Sequence, residues 1–329
     1  MGKKIGEIVG HNPDNRTYMG SDTIVSDCLV GVEVEAERLF IDIPRDGMMF
    51  NKYWKIVKDG SLRNGGAEFV LSNPLSGKDL VDGVVSLEKD VKGKELNPKF
   101  PDSTSVHIHL DVRHFSQEEL YNLILIYIIF ERALFNYAGP DRKDNIFCTY
   151  FDDCQAILEL ISAQFTQGDD GAFRDRLTRF QKYSSCNLLS VYEHGSLEFR
   201  QHVGEIKSEK ILRWINILLS MHKYVQTNKI VPNNIPFEIS QQGIDAFTKK
   251  VFSKYARHLD YAGLDKGVLE GIRLAQDLIH YEGMECTSYG KGEKTPFDKY
   301  LHKLGKEKPK AIIEEDWANI IFEGQEIRL

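Results

Sequence analysis

Glu33 and Glu35 stand two residues apart where Val30, Val32, Val34 and Ala36 alternate with Gly31, Glu33, Glu35 and Glu37. Strict period two marks a strand with one buried face. Both carboxylates therefore share the other face, with Cα atoms ~6.6 Å apart. That separation lets two carboxylates reach around one or two hard cations. His107, His109 and Asp111 repeat the arrangement within 106–112, and Glu198, Arg200 and His202 repeat it within 196–202. Glu68, between Ala67 and Phe69, offers one more carboxylate. Taken singly, each motif describes a solvated sheet face more readily than a ligand set, and Glu198 with Arg200 alone would be a surface ion pair contributing under ~1 kcal/mol. Their recurrence on several strands points to a site, because gathered carboxylates repel one another unless cations or an arginine balance them. Hard oxygen donors, few imidazoles and no thiolates favour Mg2+ or Mn2+ over zinc, bound together with a phosphorylated ligand.

The elements that must position these groups are legible in outline. Strands are expected at 28–37, at 53–57 and, after a turn at Asp59-Gly60-Ser61, at 67–71. Another follows at 106–112, and 187–192 with 196–201 reads as a hairpin joined at Glu193-His194-Gly195. Ser116-Gln117-Glu118-Glu119 is a capping box that opens an apolar helix ending near Tyr137. Further helices are expected at 152–162, 172–181 and 208–225. Residues 1–27 read as a polar, extended arm, 28–230 as the catalytic domain and 231–329 as a helical extension beginning at a Pro-Asn-Asn-Ile-Pro break and interrupted by a Gly-rich loop near 282–294. The class is α+β: an antiparallel sheet bearing helices. Gly60, Gly65 and Gly66 make a turn that is either a plain hairpin loop or a phosphate cradle. Glu131 either marks the solvent edge of the apolar helix or points back to the sheet.

The bulk composition excludes several classes. In 329 residues, 42 Lys and Arg face 49 Asp and Glu, a net charge of −7, with 42% hydrophobic and 28% charged residues. Disorder, collagen and coiled coil are poor fits, and no general affinity for nucleic acid or anionic membrane is expected. The longest apolar run, 123–130, is far short of the ~18 residues of a spanning helix. No apolar stretch follows Lys3 and Lys4, and a cytoplasmic location is expected. Five cysteines without a C-x-x-C pair argue for buried reduced thiols. No Walker-type loop occurs.

The stretches 31–35, 59–62 and 66–75, then His107-Ile108-His109-Leu110-Asp111, Glu131, Arg142, Asn187 and 196–202, resemble in kind and order the motifs of the amidoligase family. That family is a divergent branch of the glutamine synthetase and glutamate–cysteine ligase fold, whose members join a carboxylate to an amine using ATP. The resemblance implies a sheet of the glutamine synthetase catalytic-domain type. It implies metal ligation by Glu33, Glu35, Glu68, His107 and Glu198, with Mg2+ or Mn2+ and ATP as cofactors. Arg200, His109 and Asp59 would be catalytic, His109 near the transferred phosphate and Arg200 on phosphate or substrate carboxylate. Gly60, Ser61, Arg142, Asn187 and Arg200 would bind the nucleotide. No counterpart of the small N-terminal domain that completes the glutamine synthetase site is found.

The function expected is an ATP- and Mg2+-dependent carboxylate–amine ligase working through an acyl phosphate, on small-molecule or peptide substrates. Two alternatives stay open: a metal-dependent hydrolase or nuclease on the same acidic face, and a non-catalytic binding protein of the same fold. A non-hydrolysable ATP analogue separates the ligase from the hydrolase.

Overall fold

Seven strands use the alternation read above to build one sheet. In the computed structural model, which describes residues 3–13, 16–140, 142, 145, 147–151, 169–180, 182–228, 230, 234–259 and 262–280, they are β1 (Val30–Ala36), β2 (Met48–Met49), β3 (Trp54–Val57), β4 (Ala67–Leu71), β5 (Ser105–Asp111), β6 (Cys186–Asn187) and β7 (Ser196–Val203). Their order is β2-β3-β4-β1-β5-β7-β6, and every pairing is antiparallel. Val30, Val32 and Val34 of β1, Val106, Ile108 and Leu110 of β5, and Leu197 and Phe199 of β7 are buried beneath the helices. Each such side chain contributes roughly 1.5–3 kcal/mol on burial, and a one-residue slip would drive Glu33 and Glu35 into that core. The register is thereby fixed.

Helices cover one face. They are α1 (Ile5–Val9), α2 (Gly77–Gly93), α3 (Gln117–Ala138), α4 (Asp170–Leu177), α5 (Leu189–His194), α6 (Ser208–Thr227), α7 (Asn234–Gln242), α8 (Ile244–Phe252) and α9 (Leu264–His280), with a 3-10 turn at Ser253–His258. The capping box forms as expected: Glu119 N donates to Ser116 Oγ at 3.1 Å and Ser116 N to Glu119 Oε2 at 2.6 Å. By length and composition α3 is apolar enough to cross a membrane, but 83% of its apolar window is buried inside the protein. The sheet lies on one side of it and α9 on the other. Gly271 makes that second contact possible, since a Cβ there would come within 2.5 Å of the Ile129 carbonyl oxygen.

Several elements differ from the sequence expectation. The stretch 187–192 is no hairpin strand. The Asn187 side-chain oxygen accepts Leu189 N at 3.0 Å, turning the chain into α5, and Gly195, at φ 70°, ends it. The N-terminal arm is not simply extended, because Ile5, Ile8 and Val9 bury one side of α1. Helix α2 is an addition, its Leu80, Val84, Leu87 and Val91 forming a buried stripe at spacings of four and three. The helical reading after 231 holds for 234–242, 244–252 and 264–280. The expected helix at 152–162, the Gly-rich loop near 282–294 and the chain beyond it lie outside the described residues.

Candidate active site

The sheet face opposite the apolar core is where the register gathers the ionisable groups. On β1, Glu33 pairs with His107 of β5 and Gly31 with His109, while Glu35 pairs with Glu68 of β4. On the far side His109 pairs with Glu198 of β7, and Glu198 with Asn187 of β6. Because the strands are antiparallel and in register, side chains on one face stand ~5 Å apart across neighbouring strands. Gly31 keeps the ladder tight, since a Cβ there would lie 3.2 Å from His109 Cβ.

His107 is the hub. Its Nδ1 lies 3.1 Å from Glu33 Oε2 and 3.4 Å from Glu198 Oε1, and its Nε2 lies 3.8 Å from Glu35 Oε1. Ser105 Oγ donates to Glu35 Oε2 at 2.5 Å and stands 2.7 Å from His107 Nε2. A hydroxyl that gives its proton to the carboxylate accepts from the imidazole, so Ser105 turns Nδ1 toward the two glutamates. His109 Nδ1 lies 3.2 Å from both Ser190 Oγ and Ser196 Oγ, and its Nε2 faces Glu33 Oε1 at 3.4 Å. Asn187 Nδ2 donates to Glu198 Oε2 at 2.5 Å, while the Arg200 guanidinium pairs with Glu198 Oε1. Ser105, Ser190 and Ser196 are orienting groups the sequence reading missed. Each sits at an alternate strand position or on the adjoining helix, and their small size hid them.

The electrostatics are those of crowded acids. Burial lifts the Glu68 carboxyl, and the nearby charges of Glu33, Glu35 and Asp59 lift it further, to well above the ordinary carboxylate range. Burial would also lift Glu33, but hydrogen bonds from His107 and His109 hold it well below that range. Glu198 is likewise lowered, burial being outweighed by His109, Arg200 and His107. His109 is raised despite burial, through its contact with Glu33 and the charge of Glu198.

Among the described residues, three groups of donor atoms have all their members within 4.8 Å of one another: Glu33, Glu68 and His107; Glu33, His109 and Glu198; and Glu35, Asp59 and Glu68. Two oxygens or nitrogens bound to one cation at ~2.1–2.5 Å lie at most ~5 Å apart. Each triad therefore fits one divalent ion, and Glu33 and Glu68 each serve two triads. The donor chemistry fits as well, since a cation would compensate the repulsion that holds Glu68 high.

The remaining expected site residues are placed as follows. Asp59 stands with Glu35 and Glu68, and its Oδ1 accepts both Ser61 N and Ser61 Oγ at 2.7 Å. Gly60 faces open space. Arg142 is buried and donates to the carbonyls of Asp102 (3.1 Å), Thr104 (2.9 Å) and Arg200 (3.4 Å). Glu131 is buried, which excludes the solvent-edge reading. Its Oε1 accepts Phe151 N at 2.7 Å and Ser185 Oγ at 2.5 Å, with the Tyr127 hydroxyl 3.1 Å away. Ser185 in turn accepts Arg200 N on its carbonyl at 2.9 Å, so Glu131 braces the strand that carries Arg200. His202 does not join Glu198 and Arg200. Pairing skips from Ile108–Phe199 to Val106–His202, setting Arg200 and Gln201 opposite the single His107. His202 thus turns to the helix side, 5.6 Å from the Trp214 ring, and burial lowers its pKa to about 4. Asp111 also stays out of the three triads, gripped by Arg113 through Nε and Nη2 at 2.8 Å.

Comparison with known proteins agrees with the resemblance drawn from the motifs. Residues 90–222 match the family described as "Putative amidoligase enzyme". No curated protein matches the chain. The matched stretch contains His107, His109, Glu131, Arg142, Asn187, Glu198 and Arg200, and the fold brings Glu33, Glu35, Asp59 and Glu68 to it from before the matched residues.

Proposed function

We propose that this chain is an ATP- and Mg2+-dependent carboxylate–amine ligase that forms an amide or peptide bond through an acyl phosphate. The observation that carries the reading is the set of three triads linked through Glu33 and Glu68 on one sheet face, with Arg200 beside Glu198. Similarity to the amidoligase family over 90–222 supports the class of reaction.

A carboxylate is a poor electrophile and must be activated before an amine can attack it. Glu33, Glu35, Glu68, His107 and Glu198 would hold Mg2+ or Mn2+, with Asp59 and His109 each completing a triad. Cations held there would supply shielding for the phosphate charge and for the charge that develops on the transferred group. Arg200 presents a planar fork whose partner Glu198 is already ordered by Asn187, so the guanidinium is fixed before a phosphoryl or carboxylate oxygen arrives. Ser105, Ser190 and Ser196 lock the imidazoles against rotation. Gly60 and Ser61, at the turn beside Asp59, are the part of the expected nucleotide set with room for phosphate.

The test is Mg2+-dependent binding of a non-hydrolysable ATP analogue, followed by ADP release screened across carboxylates and amines. Glu33→Ala and Glu198→Ala should each weaken analogue binding at least tenfold. Unchanged affinity in both variants would overturn the reading.

A further inference from the structure

Next to the Glu33–His109 end of the polar face lies a cavity of about 400 Å³. Leu29, Val70, Leu71 and Pro74 give it an apolar wall, and Glu33 and His109 form its inner end. Arg113, Glu193 and His11 stand on the other side. The N-terminal arm completes that side: Gly6 N donates to the Arg113 carbonyl and Ile5 N to that of Phe115, both at 2.8 Å, and His11 Nε2 donates to the Tyr192 carbonyl at 2.9 Å.

Most of the charged groups lining the cavity are already engaged: Asp111 with Arg113, and Glu33 with His107 and His109. The Arg113 guanidinium is committed to Asp111 through Nε and Nη2 and to the Asn12 carbonyl through Nη1, at 2.6 Å. Glu193 keeps a half-exposed carboxylate, with His194 Nε2 4.0 Å from its Oε2. Glu33 faces the cavity as the carboxylate where the sheet site begins. Arg200 is two residues beyond Glu198 on β7, away from the cavity end at Ser196. Anions are therefore served at the Arg200 end, and the cavity offers the Glu193 carboxylate and apolar surface.

We infer that this cavity seats the amine partner of the reaction, and that this partner is an organic primary amine with an aliphatic body, not ammonia. The inference rests on the ligase reading. Its volume is that of a small-molecule site, many times what ammonia needs, and the apolar wall would gain from burying methylene groups. The bound ammonium gives one proton to a carboxylate, for which Glu193 is placed. Its nitrogen lone pair then forms the C–N bond as the acyl C–O bond to phosphate breaks. Phosphate leaves with that electron pair and takes the second nitrogen proton.

The experiment uses the full chain with Mg2+ and the ATP analogue, titrated with n-butylamine, sodium butyrate or ammonium chloride and followed by ligand-observed NMR. Butylamine should bind, and butyrate and ammonium should not. Glu193→Gln, at an exposed position that tolerates the change, should weaken butylamine about fivefold, and Val70→Trp should abolish its binding by filling the cavity. Binding of butyrate in place of butylamine, equal binding of ammonium, or a butylamine affinity unaltered in both variants would overturn the assignment. If the analogue binds and butylamine does not, the amine site alone falls. If butylamine binds and the analogue does not, the ligase reading falls.

Discussion

His109 and His202 are both read from alternating stretches, the first largely and the second fully withdrawn from water, yet they do opposite things. Burial pushes each imidazole toward its neutral form. At His109 the carboxylates of Glu33 and Glu198 overcome that push and the pKa is raised. At His202 the neighbours are the rings of Trp214 and Tyr137, 5.6 and 6.4 Å away, and the pKa falls to about 4. One skipped pairing on β7 separates the two outcomes. His222 belongs with His202: it is stacked on Phe115 at 4.6 Å, donates Nε2–H to the Asp111 carbonyl at 3.1 Å, and is lowered to about 4. Spacing finds histidines that share a strand, and register decides which of them meet acids.

The strongest test of that contrast removes the acid side. Glu33 is shared by two of the triads, so under the proposed ligase reaction Glu33→Gln should lower turnover by ~10²–10³-fold with little change in melting temperature. Turnover within a few-fold of wild type would mean that the acidic face is ornament to the chemistry.

On the other side of the contrast the readout is stability. With folded pKa values of about 4 against 6.5 unfolded, His202 and His222 are neutral in both states above pH 6.5, where their contribution is fully present. As pH falls from 6.5 toward 4 the unfolded chain takes up protons that the folded one refuses, and each histidine withdraws up to about 3 kcal/mol. Urea midpoints between pH 7 and pH 4 should therefore fall less steeply in His202→Leu than in wild type. Identical slopes would place His202 in water.

Arg200 sharpens the comparison at the strand where it turns. Arg200→Lys keeps the charge next to Glu198 but loses the fork, and turnover should drop by ~10²-fold in a folded protein. Full activity would make the pair with Glu198 its whole purpose. The smallest effect is expected at Glu131. Glu131→Gln keeps an oxygen for Phe151 N and Ser185 but removes the charge, and should cost about 1–2 kcal/mol in urea unfolding with turnover reduced only a few-fold. A collapse of turnover at unchanged stability would move Glu131 from bracing β7 to the reaction itself.

Much of the site was legible because it depends on period two. The valines of β1 and the apolar members of β5 declare which face is core, and Glu33, Glu35, Glu68, His107, His109 and Glu198 follow onto the other. What escaped depends on interactions between residues distant in the chain or on one side chain's local bond. His202 was misplaced because a β-bulge leaves no mark in an alternating string. The helix at 189–194 was hidden because the Asn187 side chain, not apolar spacing, starts it. The arm was read as extended because five residues are too few to show a helical period, and only contact with 113–115 reveals its role. Asp59 was assigned to catalysis, and the fold groups it with Glu35 and Glu68 because β3 and β4 return it to β1.

The position of α3 between the sheet and α9 bears on how the chain is made. Helix α3 ends at Ala138 and its cover begins at Leu264, a separation of 264 − 138 = 126 residues. At ~5–20 residues per second the ribosome needs roughly 6–25 s to cross it. Throughout that interval the nascent chain carries an apolar helix whose outer side has no α9 to rest on. Translation speed and chaperone capture thus become part of the folding problem. Ribosome-bound chains stalled before 264 should bind a chaperone that recognises apolar surface, and chains released after 280 should bind it far less.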